Sequence, residues 1–251
     1  MLKEKISAYA ILLGDQSLIL GQRLGELCGH GPILEVDIAL TNIALDLLGQ
    51  ARLYYQLGAD FSETYESEDQ IAFLRKEKEY RNCVLLEMPN GDFGDTIVRQ
   101  FLFDVFHQMF LEELKQSNEK RLQAIAEKSI KEVTYHLNFS SDWILRLGKG
   151  TEVSNQKIQK AVDTLWPYTK ELVHSSALEK EMHEFGIAPL LDELEERYYA
   201  KVRTKFAEAD IKLPEDKWSQ IQGKTGLHTE HFGYILSDLQ YLQRSYPNSK
   251  W

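Results

Sequence analysis

Apolar residues recur along this chain at intervals of three and four, the spacing of a helical face rather than the alternation of a half-buried strand. In the first such run Tyr9, Leu13, Ser17, Leu20, Leu24 and Leu27 share one face, and Cys28-Gly29-His30-Gly31-Pro32 stops the helix. A second run, from Ile33 to about Leu57, is apolar on nearly all sides, which predicts a central helix surrounded by others. Residues Glu66 to Met88 read as a more charged lateral helix closed by the turn Pro89-Asn90-Gly91-Asp92. A further core helix starts near Asp95 and carries Ile97, Phe101, Val105 and Met109; another runs from about Lys120 to Leu147 and ends at Gly148-Lys149-Gly150. Beyond Thr151 the pattern predicts shorter helices over about 154–174, kinked at Pro167, then 176–185, 189–207 and 228–245.

The expected class is therefore all-α: a four-helix core bundle of the ferritin-like kind over about 3–148, with additional C-terminal helices over about 151–251, in a single domain of 251 residues. No internal repeat or low-complexity tract interrupts it. A chain of this length buries enough surface to fold without disulfides, and its two cysteines, Cys28 and Cys83, form no paired spacing. This usage fits a reducing, cytoplasmic setting. The N-terminal apolar stretch is broken by Asp15 and Gln16 too early to span a membrane and reads as helix, not as a signal. A net charge of −10 without a basic stripe argues against nucleic acid as a partner.

Long core helices with internal carboxylates and histidines are the setting of di-iron sites, in which two helices each supply Glu and two more each supply Glu-x-x-His. Only one Glu-x-x-His occurs, Glu171 to His174, with one Asp-x-x-His, Asp104 to His107. If Gln50 and His136 stand at histidine-ligand positions, the residues three earlier are Leu47 and Val133, which cannot bind a hard, oxygen-preferring ion. Glu26, Asp104, Glu132 and His136 would then persist as a buried, mutually hydrogen-bonded vestige. His107 and His136 also read as ordinary structural histidines. His228-Thr-Glu-His231 reads as a helix N-terminus before it reads as a metal motif, and Arg75 to Asn82 as a solvated helical face that could meet an anion. The competing reading is an active di-iron oxygenase or iron-binding protein using Asp104, His107, Glu132 and His136. An unrelated helical adaptor is a third, less favoured without a repeat.

The strings LGQRLGELCGHGPILEVDIALTNIALDLLGQARLYY, MPNGDFGDTIVRQFLFDVFH, IKEVTYHLNFSSDWILRLGKGTEVS and KTGLHTEHFGYILSDLQYLQRSYP resemble the structural, non-catalytic subunit family of phenylacetyl-CoA epoxidase. The resemblance covers nearly the whole chain and is lowest over about 175–222. It implies a multicomponent monooxygenase in which a ferritin-like sister subunit holds the di-iron centre and binds the coenzyme A thioester. A separate reductase with FAD and an iron–sulfur centre passes electrons from NADPH. This chain would hold no cofactor, would pair with the catalytic subunit and other epoxidase components, and would form a homodimer in isolation. Glu26, Leu47, Gln50, Asp104, Val133 and His136 would be relics of iron positions. The resemblance further places coenzyme A contacts at Glu79, Tyr80, Arg81 and Asn82, with a second group at Lys180, Glu181 and Met182.

Overall fold

The computed structural model describes residues 2–215, 218–247 and 249, and among them every regular element is helical. The α-helices are α1 (Leu2–Gly25), α2 (Leu34–Phe61), α3 (Glu68–Phe73), α4 (Val84–Glu87), α5 (Phe93–Leu114), α6 (Lys120–Gly148), α7 (Glu152–Leu165), α8 (Ala177–Glu184), α9 (Glu195–Glu208) and α10 (Glu230–Ser245). They fall into two compact units, one formed by Met1–Pro89 with Gln222–Trp251 and the other by Asn90–Ile221. Residues after 151 thus divide between the units: α7 and α9 pack on α5 and α6, while α10 packs on α1, α3 and α4.

In the first unit α1 and α2 run antiparallel in close register. Ser7 Oγ donates to the carbonyl of Gly58 at 2.7 Å, and a Cβ at Gly14 would strike the Tyr55 ring. The connection turns on Gly29, whose φ of +84° is open to glycine, and is closed by Asp37, whose carboxylate accepts the N–H groups of Gly29 and Gly31 at 2.9 Å each.

The lateral helix expected over 66–88 does not form. Only α3, a single 3₁₀ turn at Glu77–Glu79 and the one-turn α4 are helical there, with extended backbone between them. A continuous helix would keep its polar groups on one outward face, whereas here Arg75, Tyr80, Asn82 and Glu87 are all buried. They hydrogen-bond partners on other elements, which only a broken chain allows.

The second unit is built on the antiparallel pair α5 and α6. Asp92 caps α5, accepting from Gly94 N–H at 2.7 Å, while Asp95 reaches back to the N–H of Asp92 at 2.9 Å. The inward face of α6, Leu122, Ile125, Ser129, Val133, His136, Ser140 and Ile144, keeps the interval of three and four. Pro167 ends α7 instead of kinking it: the helix stops at Leu165 and a 3₁₀ turn, Trp166–Tyr168, accommodates the missing N–H. The segment 189–207 likewise opens as a 3₁₀ turn, Leu191–Leu194, before α9 begins. Tyr198 of α9 donates to the Leu102 carbonyl at 3.1 Å, locking that helix onto α5.

Candidate functional site

Gln100, Asp104 and His107 lie on one stripe of α5, at intervals of four and three, and Ser129, Val133, His136 and Ser140 on one stripe of α6. All are buried. Asp104 accepts from Gln100 Nε2 on one oxygen and from Ser140 Oγ on the other, each at 2.7 Å. Burial pushes the Asp104 carboxyl up to about 7, against the opposing pull of His136 and of its two donors. Burial, with His136 alongside, holds the His107 imidazole down at about 3, and its ring packs on Phe103 with centroids 4.8 Å apart. Gln100 Oε1, His107 Nδ1 and Ser129 Oγ are enclosed without a hydrogen-bond partner.

Of the four residues expected to persist as a buried vestige, Asp104 on α5 and His136 on α6 are buried. Glu26 lies beyond the end of α1 on the surface, bound to Arg23 at 2.9 Å, and Glu132 is half-exposed. In the first unit Leu47 and Gln50 are buried on α2. Nearby on the same helix Tyr54 has an enclosed hydroxyl without a partner, its ionisation pushed far up by burial.

The residue three before His136 is the fully buried hydrocarbon Val133, and both oxygens of Asp104 already hold neutral donors. Among the described residues no group of three or more His, Cys, Asp or Glu is placed to hold a metal ion. This donor set does not fit a pair of irons, each of which needs several anionic or imidazole ligands.

A second buried cluster occupies the first unit, where a helical reading of 66–88 would hide it. Arg75 forms a two-pronged ion pair with Asp15, one prong at 3.0 Å, and its guanidinium lies 4.0 Å from the Tyr80 ring centroid. Asp15 also accepts from Tyr55 OH at 2.6 Å and from the Arg81 N–H at 2.7 Å. Burial alone would lower the Arg75 ionisation, but the Asp15 carboxylate overrides it and holds the guanidinium charged. Gln16 pairs in both directions with the backbone of Arg81 and Cys83 at 3.0 Å. The sequence signal for this cluster is the polar pair Asp15-Gln16 inside an otherwise apolar helix.

Around the cluster lie several residues that the resemblance assigns to thioester contact. The Tyr80 hydroxyl donates to the Ala72 carbonyl at 2.7 Å, and Asn82 donates to Glu87 at 2.9 Å, so both side chains face inward. Glu79 is exposed and accepts the Lys76 N–H at 2.6 Å; Arg81 is half-buried, its guanidinium on the carbonyls of Lys78 and Tyr80. In the second unit Lys180 is exposed, Glu181 half-buried and Met182 fully buried. The His228 to His231 string begins α10. His228 meets Glu87 through Nδ1 at 2.7 Å and the Tyr80 carbonyl through Nε2 at 3.2 Å, while Glu87 accepts the Thr229 N–H. Glu171 of the Glu-x-x-His pair is buried, and His174 pairs with Asp192 at 3.4 Å.

Comparison with known proteins bears on both clusters. Residues 2–251 match the model of the phenylacetic acid catabolic protein family. The chain belongs to this family. Its all-helical structure agrees with the ferritin-like helical class of the family. The C-type subunit of 1,2-phenylacetyl-CoA epoxidase from Escherichia coli (strain K12) is 44% identical over 247 residues, which cover 98% of this chain and 99% of that relative. Among the described residues of this family member, no helix is long and apolar enough to cross a membrane.

Proposed function

We propose that this chain is the structural, non-catalytic subunit of a multicomponent phenylacetyl-CoA 1,2-epoxidase, and that it pairs with and stabilises the di-iron catalytic subunit in aerobic phenylacetate catabolism. The observation that carries this reading is the α5–α6 stripe. Where a ferritin-like oxygenase needs a carboxylate and an imidazole three residues apart, α6 offers buried Val133 with His136, and the Asp104 carboxylate is satisfied by an amide and a hydroxyl. Similarity to an epoxidase subunit along almost the full length of both chains supports the assembly. The same reading expects a homodimer when the chain is purified alone, and it leaves oxygen chemistry and electron supply to the partner and a separate reductase.

The test is co-expression with the catalytic subunit, followed by metal analysis of the complex and of each chain alone. Iron should travel with the catalytic chain and be absent at stoichiometric level from this one. About two irons per chain in this subunit by itself, the complement of a full di-iron ligand set, would overturn the proposal.

A further inference from the structure

The N-terminal half of α2 presents an apolar face that no described residue of its own unit covers. Leu34, Ile38 and Leu45 are 71%, 52% and 61% exposed and share one side of the helix at intervals of four and seven. Gly49 continues that line, and a Cβ placed there would meet nothing within 4 Å. No contact among the described residues therefore requires a glycine, which weakens a helix interior. A backbone laid along this line would meet no Cβ at Gly49. The stripe passes through Leu48 into a groove of about 340 Å³ whose apolar wall includes Leu18 of α1, Phe73 of α3 and Leu239 of α10. Thr41 and Asn42 lie between Ile38 and Leu45 on this side, and an exposed apolar surface of this kind marks an association site more often than it decorates a surface that stays wet.

The charges bordering it select the occupant. Glu35 and Asp46 follow the stripe along one margin of α2, and Glu68 and Asp69 close the far side of the groove. Arg52, within the surface, is already matched by Glu68 at 3.5 Å. The rim is thus acidic. Resting on the function proposed above, we infer that this face receives one amphipathic helix of the catalytic subunit, whose apolar stripe is flanked by lysines and arginines. Its small or branched side chains would seat against Gly49 and in the groove.

The experiment compares recovery of the full-length chain with co-expressed catalytic subunit for the wild type, Ile38→Asp/Leu45→Asp, and Glu35→Lys/Asp69→Lys. Because these side chains are exposed, both variants should keep the wild-type helical circular dichroism, and the charge reversals, which sit in the first turns of α2 and α3, should lower the melting temperature by only a few degrees. The apolar double variant should lose at least tenfold in complex recovery. The charge-reversed variant should lose several-fold and, unlike wild type, should bind more tightly as salt is raised. A photo-crosslinker at position 45 should capture a helical, Lys/Arg-flanked segment of the catalytic chain. If wild type binds while both variants bind equally well, this surface is wrong and the proposed function stands. If wild type fails to bind the catalytic subunit, both fall. If the variants lose only self-association, the face belongs to a second copy, and the inference is overturned.

Discussion

Asp15 in the first unit and Asp104 in the second are equally removed from water, yet their surroundings differ in kind. Asp15 is met by a guanidinium, a phenol and a backbone N–H, a set that accepts a full negative charge. Asp104 is met by an amide and a hydroxyl, and beside it Gln100 Oε1 and His107 Nδ1 have no partner. The first arrangement is a completed structural lock that holds an irregular segment against α1. The second is a polar stripe carrying more capacity than the fold uses. The cost of that surplus is a carboxyl that ionises reluctantly.

The largest effect should come from breaking the lock. Arg75→Met leaves the Asp15 carboxylate buried and opposed only by weaker donors, and urea unfolding should report a loss of about 3–5 kcal/mol. Replacing both partners, Asp15→Leu with Arg75→Met, should recover much of that loss, because no buried charge then remains. If the single change costs no more than a surface substitution, the contrast between the two carboxylates is wrong.

Stability against pH sharpens the contrast next. The folded state keeps the Asp104 proton up to about 7, against an ordinary value of 3.8, so it binds more protons than the unfolded chain across that window and its contribution erodes as pH rises. His107 is the reverse: folded at about 3 against 6.5, it contributes fully above that ordinary value and its contribution erodes as pH falls. The two slopes oppose each other where the windows overlap. Asp104→Asn should therefore gain stability relative to wild type as pH is raised through that window, by at most on the order of 4 kcal/mol. His107→Phe should gain relative to wild type as pH is lowered. Melting temperatures measured across that range for the three proteins check both signs, and parallel profiles would refute the account.

The smallest change is Ser140→Ala, which removes one of the two donors to Asp104. It should cost about 1–3 kcal/mol at about pH 8, where the carboxylate is charged, and less at about pH 5. A penalty independent of pH would mean that the hydroxyl serves packing instead of the carboxyl.

How much of this was legible in the sequence depends on what each side chain faces. The long helices were legible because α6 repeats its apolar positions every three or four residues and α5 begins at an Asp-capped turn, both local signals. Val133 and Leu47 stood out as hydrocarbon three residues before His136 and Gln50, and both are buried. The segment 66–88 misled because periodicity treats Arg and Glu as surface residues. Arg75 and Glu87 satisfy that rule only when unpaired, and each has a buried partner more than fifty residues away in sequence, Asp15 and His228. Glu26 misled in the opposite sense: it lies exposed just past α1, paired with Arg23.

By itself, then, the order of residues determined the helical class, the ends of most long helices and the absence of a second carboxylate–histidine pair on them, since propensity, capping and spacing act within a few residues of one another. Tertiary structure alone decided that 75–87 is a broken strap burying Arg75, Tyr80, Asn82 and Glu87, that Asp104 is held by neutral donors, and that the Leu34–Leu45 face of α2 lies bare. Those outcomes turn on desolvation, which depends on what arrives from distant parts of the chain.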